Sequence, residues 1–133
     1  MNSTKFEIVQ NKFNLFNPIN RYQKKAKKDR LDFYTKNIER INNTDIDRIE
    51  KHDFILEAIE LSFKYERLEF FNKNLMHQLV GLETHRNAPE LNKLVFKNGN
   101  FFHVPSIFTI VEAVNFIVNT TTIGQLLTLK TQF

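Results

Sequence analysis

Six cationic side chains, Arg21, Lys24, Lys25, Lys27, Lys28 and Arg30, fall within ten residues, with Tyr22, Phe33 and Tyr34 beside them. A segment of this kind can neutralise several phosphates while neighbouring rings stack on unpaired bases. Lys outnumbers Arg, so the expected contact follows backbone charge and gives little readout of base identity. Two plainer readings compete: a solvated helix start that keeps the chain in solution, and adhesion to an anionic membrane surface. The expectation carried forward is nucleic acid, RNA or DNA; a membrane partner is not expected.

Other chemistry finds less support. His52, His77, His85 and His103 are widely spaced and form no His-x-x-x-His or Glu-x-x-His pair, so no metal is expected. Asp53, Glu57 and Glu60 share one helical face, as general acid–base groups would, but no His joins them at the right spacing, and acids at that density usually face water. Glu83-Thr84-His85-Arg86, with His103, is the densest polar cluster on an expected loop and the best place to look for a site; an ordinary polar turn is its plainer reading. The three glycines stand outside any Gly-rich context, so they build no phosphate cradle. Ser3, Ser62 and Ser106 lie in no nucleophile-elbow pattern. Cysteine is absent, which removes disulfides, thiolate nucleophiles and Cys-based metal sites. No catalytic residue and no cofactor is therefore expected.

The end of the chain, Ile107 to Phe133, is apolar and nearly uncharged. Thr109 with Glu112, and Thr122 with Gln125, have capping-box spacing and should open two helices, Ile110 to Val118 and Ile123 to about Lys130. A helix–turn–helix reading fails on the second, where Leu126, Leu127 and Leu129 leave only Gln125, Thr128 and Lys130 to reach base edges. Helices apolar on nearly every side belong in a core or against a partner. Phe116, Leu126, Leu129 and Phe133 are thus candidates for contact with another protein or a second copy, and Phe13 and Phe16 for anchors near the other end.

The elements follow from spacing and caps. With 133 residues and 41% hydrophobic content, the chain suits one folded domain. Residues 1–22 contain five Asn and Pro18, with Phe6, Phe13 and Phe16 read as anchors on an extended arm. Leu31, Tyr34, Ile38 and Ile41 predict a helix from about Gln23 to Ile41. Thr44 should cap a second helix with Asp45 and Asp47 in its first turn, running toward Val80 with a break near Phe70–Asn74. Pairs Asp47–Lys51 and Glu60–Lys64 should decorate its wet face. A third helix would close at Gly81. Asn98-Gly99 is either a hairpin turn between about 94 and 104 or the cap of a helix from Pro89 to Phe96, and the helix is the reading adopted. The expected fold is all-α or mainly α: a small helical bundle at 23–133, with an extended basic N-terminal arm at 1–22.

Charge is uneven along this layout. Up to Lys28 there are seven Lys or Arg against Glu7 alone; eleven acids fall between Asp29 and Glu69. No apolar run reaches the ~20 residues a membrane helix needs. The start is basic and acid-poor, as a mitochondrial presequence would be, but Asn-rich instead of Ser- and Arg-rich. Phe at 14 residues against 3 Gly and 3 Pro, with much Lys, Asn and Ile, indicates an AT-rich coding sequence such as an organelle or phage carries. The setting expected is intracellular, cytoplasmic or organellar. The function expected is that of a non-enzymatic adaptor or assembly subunit, for example of a ribonucleoprotein or an organellar ribosome. The alternative is a small phage or mobile-element protein that binds and regulates a host protein through the mixed-charge middle helix.

Overall fold

Phe6, Val9, Phe13 and Phe16 recur at intervals of three, four and three residues. In the computed structural model of the chain that period closes into a helix, α1 (Lys5–Asn14), instead of the extended arm expected from Asn and Pro content. Val9 and Phe13 are fully buried, and Phe16, just past the helix end, nearly so. Burying one such side chain contributes roughly 1.5–3 kcal/mol, more than the helix propensity Asn gives up. The structure describes residues 5–122 together with 125 and 126. They form six α-helices and a three-stranded antiparallel sheet, a mixed α and β fold that corrects the all-helical expectation. The chain divides into two compact units, 1–65 and 66–133.

The first unit holds α1, α2 (Arg21–Lys36), α3 (Ile38–Asn42), α4 (Ile46–Lys51) and the start of α5 (Phe54–Asn74). Its core joins Val9, Phe13, Phe16, Ile41, Ile49, Phe54 and Ala58. The single helix expected from Gln23 to Ile41 is two helices. Asn37 separates them, its backbone N–H bonding the Tyr34 carbonyl at 3.1 Å and its side-chain amide the Phe33 carbonyl at 2.7 Å. Asn20 caps α2, its Oδ1 accepting from the Gln23 N–H at 2.9 Å. Thr44 does not cap α4: its hydroxyl donates back to the Arg40 carbonyl, and Asp45 occupies the cap position. Two lysines of α1 stabilise the ends of the short helices. Lys5 Nζ donates to the Thr44 carbonyl at 2.6 Å, and Lys12 Nζ to the Ile49 and Glu50 carbonyls at 2.8 and 2.7 Å. A cation at those C-terminal carbonyls satisfies orphan acceptors and opposes the helix dipole.

The second unit begins with the remainder of α5 and contains all three strands. The helix does not break at Phe70–Asn74; it runs through that tract and gives way to a 3-10 turn, Met76–Gln78. The helix expected to end at Gly81 is instead a strand, β1 (Leu79–Thr84). Val80 is an extra residue between Leu79, which pairs with Phe96, and Gly81, which pairs with Val95. Gly81 takes a φ of +151° at this bulge, a conformation L side chains rarely adopt. β2 (Leu91–Phe96) and β3 (Phe101–Pro105) pair antiparallel around Asn98-Gly99, so the hairpin forms and the Pro89–Phe96 helix does not. Gly99 has φ +89°, as the turn requires. Leu94, Phe96 and Val104 point into a core with Phe71, Leu75 and the inner face of α6 (Ile110–Thr120). The capping box at Thr109 and Glu112 is present with both its bonds. Thr122 and Gln125 exchange the reciprocal pair as well, at 2.9 and 3.1 Å; of the helix expected from Ile123 to about Lys130, Gln125 and Leu126 are helical and the rest lies outside the described residues. No helix among the described residues is long and apolar enough to cross a membrane.

Candidate functional site

All six predicted cations lie on α2, but the helix assigns them different tasks. Gln23 and Ala26 are buried, so α2 turns that face toward its unit and presents Arg21, Lys24, Lys25 and Lys28 on exposed positions. Lys27 is half-buried and donates its Nζ to the Phe16 carbonyl at 2.8 Å. Arg30 is turned inward and pairs with Glu57, its guanidinium lying over the rings of Phe33 and Tyr34. Lys25 sits 4.5 Å from the centre of the Tyr65 ring, and Arg21 4.8 Å from that of Tyr22. Lys24 and Lys28, one helical turn apart, have no carboxylate in ion-pair reach among the described residues. Together with Lys27 they edge an open depression of about 690 Å³ floored by Pro18, Ile19 and Leu31.

A polar network that the sequence did not reveal lies elsewhere in this unit. Glu57, expected to share a wet acidic face with Asp53 and Glu60, is instead largely enclosed. It accepts from the Tyr34 hydroxyl at 3.0 and 3.1 Å, pairs with Arg30, and lies 2.5 Å from His52 Nε2. Arg30 Nε is buried with no partner of its own. Burial pushes the Tyr34 hydroxyl above its ordinary value; the bond from Arg30 pulls it back and the Glu57 charge raises it further. Tyr65 is pushed up to about 12, first by burial and then by its bond to Asp29 and that carboxylate's charge. Asp53 caps α5, accepting from the Leu56 N–H at 2.8 Å, and Glu60 is exposed. The only sequence signal for the network was the i, i+4 spacing of Arg30 and Tyr34, and it could not show that Glu57 would meet them. A small cavity of about 170 Å³ adjoins it, with Tyr34, Arg48 and His52 among its lining residues.

In the second unit, the sheet brings His85 and His103 together, their ring centres 5.1 Å apart. No third ligand accompanies them: among the described residues no group of three or more His, Cys, Asp or Glu could hold a metal ion. The predicted interface residues fall in different surroundings. Phe13 and Phe16 belong to the first core and Leu126, fully buried, to the second, so none of the three presents a surface. Phe116 is 36% exposed with its ring against Phe108, and Ile107, Ile110 and Val111 are exposed as well. Leu129 and Phe133 lie outside the described residues. The expected pairs Asp47–Lys51 and Glu60–Lys64 are not made, whereas Glu69 and Lys73 pair at 2.9 Å.

No protein-family model, curated protein or solved structure matches the chain.

Proposed function

We propose that the chain is a non-enzymatic adaptor or assembly subunit that holds a polyanion, RNA or DNA, against the outer side of α2, and a protein partner at another surface. The observation that carries this reading is the pair Lys24 and Lys28, exposed one turn apart with no carboxylate in ion-pair reach among the described residues. Cations that a domain needs for its own stability are paired or spent on carbonyls, as Arg30, Lys27, Lys5 and Lys12 are here. Lys24 and Lys28 can instead replace the counterions of a phosphate chain. The exposed apolar residues Ile107, Ile110 and Val111 at the start of α6 support a protein contact. The setting proposed is intracellular, because a cysteine-free chain suits a reducing compartment.

The test is oligonucleotide binding by the whole chain and by a Lys24→Glu/Lys28→Glu variant. The expected result is loss of most affinity in the variant, with its thermal midpoint unchanged because both positions are exposed. No binding by the wild-type chain, or equal binding by the variant, removes the proposal.

A further inference from the structure

The depression beside α2 has a floor that a phosphate chain does not use. Pro18, Ile19 and Leu31 line it with Lys24, Lys27 and Lys28, and no aromatic ring is among its lining residues on which a base could stack. Ile19 is 82% exposed. An aliphatic side chain so exposed, beside two ammonium groups with no carboxylate in reach among the described residues, makes a surface with two chemistries side by side. Its volume of about 690 Å³, open to solvent on one side, leaves room for one small molecule. Lys27 contributes its alkyl stem to the wall while its charge stays fixed on the Phe16 carbonyl, leaving Lys24 and Lys28 to meet an acidic group.

We propose that this depression binds a single anionic amphiphile, a phosphate or carboxylate head on an alkyl body. The head meets Lys24 and Lys28; the body covers Ile19, Pro18 and Leu31. Charge complementarity selects the head, and removal of the apolar floor from water supplies the affinity. This goes beyond the polyanion reading, which needs the lysines but not the floor.

Dodecyl phosphate, kept monomeric, is titrated into the whole chain by calorimetry, with dodecyl maltoside as the neutral-headed comparison and phosphatidylglycerol vesicles as the membrane arm. The expected result is saturable one-to-one binding of the phosphate and none of the maltoside. Ile19→Ser, at an exposed position, should weaken binding about tenfold, the equivalent of losing roughly 1.4 kcal/mol of apolar contact. Lys24→Ala/Lys28→Ala should weaken it by a similar factor. Absent saturation, equal binding of the maltoside, indifference to both variants, or binding to vesicles without binding to the monomer would each overturn the proposal. Ile19→Ser should leave oligonucleotide affinity unchanged, so that failure here and failure of the nucleic-acid reading are told apart.

Discussion

Glu57 shows how a residue's task depends on neighbours that its own sequence position does not reveal. One carboxylate answers Arg30, Tyr34 and His52 at once, and both members of its ion pair are about three-quarters enclosed. Glu57→Gln keeps the shape and removes the charge, leaving an enclosed guanidinium without its counterion. The expected cost is about 1–3 kcal/mol in urea unfolding; a cost near zero would mean that the pair behaves as a solvated surface contact. Tyr65 gives a second prediction, with a definite sign. Its hydroxyl is held above the ordinary value of 10.0, at about 12, so the folded chain keeps that proton over a range where the unfolded chain has lost it. The stabilisation is fully present below pH 10.0 and is lost as pH rises toward about 12. Tyr65→Phe should therefore unfold with a shallower loss of stability across that window than the wild-type chain does. Identical slopes would show that neither the burial of this hydroxyl nor its bond to Asp29 holds the proton more tightly in the folded chain.

Elements with their own local chemistry were legible in the sequence, and those defined by a distant partner were not. Thr109-x-x-Glu112 specifies a helix start through two bonds within four residues, and α6 begins there. Thr109→Ala should cost about 1 kcal/mol, measured as a fall in thermal midpoint. Asn98-Gly99 carried the hairpin signal, but Leu91, Leu94 and Val95 also fit a helical face, and nothing local decides between a period of two and one of 3.6. What decides is β1, whose residues Leu82 to Thr84 pair with Leu94 to Asn92 and give that hairpin its third strand. β1 was hidden because Gly81 reads as a helix stop when its φ is unknown. Gly99→Ala should destabilise by roughly 1 kcal/mol, since φ there is +89° although no atom would clash with the new methyl. α1 departs from expectation for a different reason: Asn and Pro favour extended chain by propensity, and Ile8 and Leu15 blur the helical spacing of Phe6, Val9 and Phe13. The two units followed from no composition shift, because their boundary falls inside α5, where the sequence has neither Gly nor Pro to mark it.

At the scale of the whole molecule, counting charge overstates what is available to a partner. The run from Arg21 to Arg30 offers six cations in sequence, yet Lys27 is held by a carbonyl and Arg30 by a carboxylate. Lys24, Lys25, Lys28 and Arg21 remain on exposed positions. Counterion release converts that difference into a measurable slope: for single strands, log K falls by about 0.7 per phosphate neutralised for each unit of log salt. Three or four contacts predict a slope of about −2 to −3, whereas all six would give about −4. Fluorescence anisotropy of a labelled oligonucleotide over about 50–200 mM salt separates the two, a span in which such slopes change affinity by well over tenfold. A slope near −4 would mean that Lys27 and Arg30 leave Phe16 and Glu57 on binding, so Glu57→Gln, which already frees Arg30, should then bind more tightly than wild type. With the intermediate slope, that variant should bind as the wild type does, because Arg30 takes no part. A slope near zero would show that the exposed lysines keep their counterions, and the face of α2 would then be no more than a solvated surface.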